Sequence, residues 1–141
     1  MSNVDYVDQG ELVKRIAEML KELKVPKPDY VGMVKTGMSR ERVPSQEDFW
    51  YLRCASILRQ TFKNKQIGIS RLRNKYGGRK GHRVRRHHRY RSGGSIIKDA
   101  FDALENLGFV KKTEKGRVLT PKGQSFIENA AKSMLKEANN K

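Results

Sequence analysis

The chain has 141 residues, and its 31 lysines and arginines outnumber 15 acids to give a formal net charge of +16. That excess attracts polyanions from a distance and exchanges bound counterions for contacts. No apolar run approaches the roughly 18 residues that span a bilayer, and the opening MSNVDYVDQG has neither the basic nor the apolar region of a signal peptide. A single cysteine, Cys54, excludes an internal disulfide and fits a reducing compartment. Thirty-two Leu, Ile, Val and Phe residues suffice for a small core. The expectation is one soluble intracellular domain spanning 1–141.

In chain order, QGELVKRIAEMLKEL places Leu12, Val13, Ile16, Leu20 and Leu23 at amphipathic-helix spacing, and Val25-Pro26 ends it. KPDYVGMVKTGMSRERVP is broken by glycine and proline and reads as an ordered loop, anchored by Tyr30, Val31 and Val34. In SQEDFWYLRCASILRQTF, Ser45 with Asp48 forms a capping-box pattern. Apolar residues from Phe49 to Phe62 then cover most of the circumference, the mark of a central helix. Arg53 and Arg59 are its few charges and must emerge at a surface facing an anion. The sequence leaves open whether Phe49 or Trp50 is the core aromatic. Cys54 reads as core packing.

IGISRLRNKYGG predicts a short helix with Ile69, Leu72 and Tyr76 inward, Arg71, Arg73 and Lys75 outward, and Gly77 closing it. The tract YGGRKGHRVRRHHRYRSGGS follows, with six arginines, one lysine and three histidines. SIIKDAFDALENLG then predicts a helix with Ser95 as N-cap and Gly108 as its stop. FVKKTEKGRVLT predicts a hairpin turning at Glu-Lys-Gly. Thr120 caps a last helix with Pro121 at its first position. The predicted fold is mainly α: a winged-helix-like helical domain around a central helix, with one small β-hairpin.

Charge is concentrated in one third of the chain. Positions 49–98 hold 15 lysines and arginines and no acid, whereas the remainder carries 16 bases against 15 acids. A like-charged block is ordinarily a solvated or disordered stretch, but here apolar residues are interleaved at helical spacing. The glycine-bounded loop 77–94 occupies the place of an ordinary turn of three or four residues in a helix-turn-helix. Its glycine pairs, Gly77-Gly78 and Gly93-Gly94, allow positive φ and close backbone approach, so amides as well as guanidiniums can reach phosphate oxygens. Arginine in place of lysine favours bidentate phosphate contacts and base stacking, and Tyr90 adds a further planar group. Such a tract is expected to be disordered alone and to order on a nucleic acid.

His82, His87 and His88 lack a cysteine or carboxylate partner, so no metal is expected. No acid in 49–98 can act as a general base and no phosphate-loop glycine pattern occurs. A binding protein is expected, without cofactor or small-molecule substrate.

Five stretches in register, VKTG, WYLRCASILR, YGGRK, GGSIIKDAFDALENLG and GRVLTPKGQSFI, resemble the S19e family of eukaryotic and archaeal small-subunit ribosomal proteins. The match runs over roughly Leu12 to Leu135. The resemblance implies a place in the head of the small subunit and contact with ribosomal RNA and neighbouring ribosomal proteins. It also implies a part in precursor rRNA processing and subunit maturation, on cytoplasmic ribosomes with a nucleolar stage in a eukaryote. By position, Lys35, Arg53, Arg59, Tyr76, Gly77, Gly78, Arg79, Arg117, Thr120, Pro121, Lys122 and Gly123 fall in the family's motif blocks. The acid-free segment adds Arg71, Arg73, Lys75, Lys80, Arg83, Arg85, Arg86, Arg89, Tyr90, Arg91 and Lys98 to the RNA-binding set. The alternative is a winged-helix DNA-binding regulator, against which the long basic insertion weighs, because it obstructs entry of the recognition helix into a major groove. A membrane-surface protein would instead line one helix with its bases. Limited trypsin digestion should cut first between Arg79 and Arg91 and leave two fragments associated through the core; first cleavage between Arg53 and Arg59 would contradict the central-helix assignment.

Overall fold

The computed structural model describes residues 3–31, 33, 35–37, 44, 48–80, 84, 86 and 88–140. After a 3-10 turn at Asn3–Tyr6 come α1 (Gln9–Glu22), α2 (Phe49–Asn64), β1 (Gln66–Ile67), α3 (Ile69–Lys75), β2 (Gly78–Lys80), β3 (His88–Tyr90), α4 (Ser95–Asn106), β4 (Val110–Thr113), β5 (Gly116–Leu119) and α5 (Pro121–Asn139). The helices fall where apolar periodicity places them. The strands go further than the sequence reading. The expected hairpin is β4–β5, turning between Thr113 and Gly116, and β1 pairs with β5 through Gln66↔Val118 and Ile67↔Arg117. The resulting sheet, of order β1-β5-β4, packs beside α2, α4 and α5, an arrangement compatible with winged-helix topology. A second antiparallel ribbon, β2–β3, lies within the basic tract.

α2 is the central helix. It packs against α1, α4, α5, β1 and β5, burying Trp50, Cys54, Ala55, Ile57, Leu58 and Thr61. Trp50 is the core aromatic and Phe49 lies half-buried at its edge. Thr61 is the polar exception, and its hydroxyl donates to the Ile57 carbonyl at 2.8 Å. α1 contributes Leu12, Ile16 and Leu20, and α4 contributes Ile97, Ala100, Phe101 and Leu104, all essentially inaccessible. Phe109 and Phe126 stack with centroids 4.5 Å apart and join the hairpin to α5. Cys54 lies in this interior, where burial pushes its thiol up to about 12 and removes the thiolate that reactivity needs.

The caps differ from expectation in three places. Asp48 occupies the N-cap of α2 without a side-chain capping bond; its carboxylate takes the Lys21 ammonium at 2.9 Å instead, and Ser45 lies outside the described residues. Gly94, not Ser95, is the N-cap of α4. Tyr76 is the C-cap of α3, so Gly77 follows the helix without the left-handed turn that glycine usually supplies there. Thr120 caps α5 as expected, accepting from the Gly123 amide at 3.2 Å, and Gly108 ends α4 with φ +80°. Val34, offered as a loop anchor, is outside the described residues, whereas Tyr30 reaches α4 and donates to Asp99.

Ile57 is fully buried on the central helix. Its replacement by Ala should cost about 2–5 kcal/mol in chemical denaturation, and an unchanged midpoint would place the side chain outside the core.

Candidate nucleic-acid interface

The basic tract is clamped at its roots to the C-terminal end of α3. A Cβ on Gly77 would lie 2.3 Å from the Tyr90 carbonyl oxygen, so only glycine permits β3 to pass this close. None of Gly77, Gly78, Gly93 and Gly94 has positive φ; among the described residues the positive-φ glycines are Gly108 and Gly116, outside the tract. Gly77 and Gly93 therefore serve close backbone packing, with neighbouring backbone oxygens 2.3 and 3.2 Å from where a Cβ would sit, which corrects the expectation that the pairs supply positive φ. Nor are their amides all free for phosphate: the Gly93 amide donates to the Thr36 carbonyl.

Two arginines of the tract are fixed on Asn74. Arg89 donates to the Asn74 carbonyl and Arg91 Nε donates to its side-chain oxygen at 3.1 Å. This is the carbonyl end of a helix, where the backbone dipole favours cations. Arg73 was expected to point outward; it is half-buried instead, with Nε donating to the Ser92 carbonyl at 2.9 Å, while the Ser92 amide returns a bond to the Arg73 carbonyl at 3.0 Å. Across the ribbon Arg79 stands opposite Arg89, with Gly78 opposite Tyr90 and Lys80 opposite His88. Like charges directly opposed across strands destabilise the pair, and no described salt bridge supplies an acid there.

Around the base of α3 a second group gathers. Arg53 lies over the Tyr76 ring at 4.0 Å and near the Phe49 ring at 5.1 Å, and the Tyr76 hydroxyl shares a 2.6 Å hydrogen bond with Ser56. Burial raises the Tyr76 pKa, and the Ser56 bond and the charges of Arg53 and Arg59 oppose that rise. Lys75 donates to Gln60 Oε1 at 2.7 Å. Its pKa is lowered, first by desolvation against α2 and then by the positive charges of Lys63 and Arg59. Arg59 Nε donates to Gln9 Oε1 at 2.6 Å, fastening α2 to α1. Arg53 and Arg59, both half-buried, thus combine charge with internal packing.

Not every expected site residue joins this surface. Arg117 stacks near Phe101 at 5.2 Å, with Nε 3.7 Å from Glu105 Oε1. Lys122 donates to the Leu107 carbonyl at 3.0 Å. Both lie at the C-terminal end of α4, whereas the tract joins its N-terminal end, about 15 Å away at 1.5 Å per residue. Arg71, Arg79, Arg86 and Lys98 are exposed, Lys80 is half-buried on β2 and Tyr90 half-buried on β3. Arg83, Arg85, His82 and His87 lie outside the described residues. Asn74 and Ser92 were not anticipated, because an uncharged side chain that orients arginines leaves no mark on composition. Lys115 was also missed; it lines a shallow groove with Arg71 where the hairpin turn meets α3.

The core has winged-helix topology and carries a basic ribbon beside which no described salt bridge supplies an acid. Residues 3–137 match the family model described as Ribosomal protein S19e, and the chain belongs to that family. Among its relatives, the small ribosomal subunit protein eS19 of Thermoplasma acidophilum is 41% identical over 97% of this chain and 92% of its own length. The protein of the same name from Haloarcula marismortui is 36% identical, covering 97% and 94%. The small ribosomal subunit protein eS19G of Ascaris suum is 37% identical, covering 94% and 92%. The family is one of structural proteins, so the protein is not an enzyme.

Gly77→Ala should lower stability by about 1–3 kcal/mol through the Tyr90 carbonyl clash and speed amide exchange across β2–β3. Gly68→Ala is the control, since a Cβ there meets nothing within 4 Å; equal effects of the two would refute the close-packing role of Gly77.

Proposed function

We propose that the protein is a constituent of the small ribosomal subunit, seated in its head, which grips ribosomal RNA and supports subunit assembly and precursor rRNA maturation. Its partners are the small-subunit rRNA and neighbouring ribosomal proteins, and its location is the cytoplasmic ribosome, with a nucleolar stage if the cell is eukaryotic. The chain acts as one domain over 1–141, with 77–94 as its basic loop. Membership of the S19e family supports the ribosomal reading.

The observation that carries RNA binding is the Arg79–Arg89 pair on a ribbon held rigidly to α3, in a 50-residue stretch with no carboxylate. Folding brings these cations together at an electrostatic cost that the protein does not offset with acids, and a phosphate backbone offsets it. Contacts on such a surface go mainly to phosphate and sugar, with RNA shape selecting the site. The winged-helix topology favours a DNA-binding reading as well, and the two readings separate by ligand: structured rRNA should outcompete any duplex DNA sequence.

For the wild-type protein, log affinity for a small-subunit rRNA fragment should fall linearly with log salt, with a slope of about −5 for six neutralised phosphates. Reversing Arg83, Arg85 and Arg86 to Glu spares Arg89 and Arg91, which hold Asn74. This variant should keep its helix content and melting temperature, bind at least tenfold more weakly and show a slope shallower by about 2–3. Unchanged affinity and slope would exclude the tract from the RNA interface.

A further inference from the structure

The loop before α2 and the end of the basic tract meet in a small groove of about 330 Å³, lined by Lys35, Gly37, Arg73, Arg91, Ser92 and Gly93. The contact is built from backbone. Gly37 bridges Ser92 in antiparallel fashion, and the Gly93 amide donates to the Thr36 carbonyl. A Cβ on Gly37 would lie 3.0 Å from the Ser92 Cα, so this crossing also requires glycine.

Three of the six lining residues are cations and none is an acid. Arg73 and Arg91 are each held through Nε, to the Ser92 carbonyl and to Asn74 respectively, which fixes their guanidinium planes and leaves terminal nitrogens available. Lys35 is exposed and makes no side-chain bond to a described residue. A second, independent observation is Ser92 itself: it is 3% exposed, and its hydroxyl has no hydrogen-bond partner among the described residues. A buried hydroxyl without a partner is uncommon, and this one is sealed from the groove as it stands, so it would meet a ligand by turning about χ1. Two oriented guanidiniums, one mobile ammonium and one unpaired hydroxyl donor suit a tetrahedral oxyanion.

We propose that this groove seats one backbone phosphate of the bound RNA, an inference that rests on the RNA-binding reading above. Arg73 and Arg91 set the position of the phosphate, the Ser92 hydroxyl turns to donate to one of its oxygens, and Lys35 closes over it. The groove thereby makes the loop at 35–37 part of the interface, although it lies outside the acid-free segment.

The test uses the full chain and a small-subunit rRNA fragment, with Lys35→Ala and Ser92→Ala as variants, because Arg73 and Arg91 also hold the ribbon. Lys35→Ala should weaken binding about five- to tenfold at roughly 0.1 M salt and make the salt slope shallower by about 1. Ser92→Ala should weaken binding a few-fold at unchanged slope, since it removes a donor and no charge. Lys132→Ala on α5 is the control and should change neither. Both variants should melt as wild type does. Wild-type affinity and slope in both variants, with wild-type protein binding normally, would overturn the phosphate groove and leave the RNA reading standing. Absence of wild-type binding to rRNA would overturn that reading and the groove with it.

Discussion

Arg73, Lys75, Arg79, Arg89 and Arg91 are drawn together by the packing of α3 against the β2–β3 ribbon, with no carboxylate among them, and the rest of the surface is arranged around that constraint. Two like charges 4 Å apart repel by about 1 kcal/mol even in bulk water, and by more beside low-dielectric protein. Neutral oxygens take the place of acids here. The Asn74 carbonyl and side chain hold Arg89 and Arg91, the Ser92 carbonyl holds Arg73, and Gln60 holds Lys75. Such partners orient a cation without cancelling its charge. The consequence is a surface that is both rigid at its base and electrically unsatisfied, which is what a polyanion-binding site requires.

That rigidity comes from the core beneath. Arg53 and Tyr76 stack between α2 and the end of α3, and Tyr76 is tied to Ser56 on α2. α2 in turn presents Trp50, Ile57 and Leu58 to the interior. Loss of packing on α2 would therefore move α3, and with α3 the two points to which the ribbon is fastened. Arg53, Arg59 and Tyr76 hold this packing together, so under the proposed function their substitution should change stability as well as binding. At Lys35, Arg71 and Lys98, which lack side-chain partners among the described residues, the two properties separate.

The helices were legible because burial imposes a period on sequence: Leu12, Ile16 and Leu20 on α1, and Ile97, Phe101 and Leu104 on α4, are spaced by the turn of the helix they build. The hairpin was legible from its turn chemistry. β1 was not, since two residues carry no alternation and Gln66-Ile67 pair only because Val118 and Arg117 are brought alongside. The charge of the site was plain from composition, but its internal organisation was not. Arg73 reads as an outward helix position until Ser92, 19 residues later, supplies a carbonyl. The glycine pairs read as sources of positive φ and of close approach to a phosphate, while the close approach found is to the protein's own chain, where Gly77 meets Tyr90 without a Cβ. Both misses are long-range contacts, which a local pattern does not encode.

The distinction between committed and uncommitted cations also bears on what kind of nucleic acid fits. In a winged-helix protein that reads B-DNA, the recognition helix enters the major groove end-on or along one face. Here α4 begins at Gly94, directly after the backbone knot of residues 36–37, 73 and 92–93, so its N-terminal end is occupied by the protein's own chain. The cations at its other end, Arg117 and Lys122, are engaged by Glu105 and the Leu107 carbonyl. Around this unit, Lys35, Arg71, Arg79, Lys80, Arg86 and Lys98 are uncommitted among the described residues, spread over the loop before α2, both ends of the α3–ribbon unit and the first turn of α4. That spread does not follow a single straight groove, which is the geometry behind proposing a folded RNA and not duplex DNA as the partner.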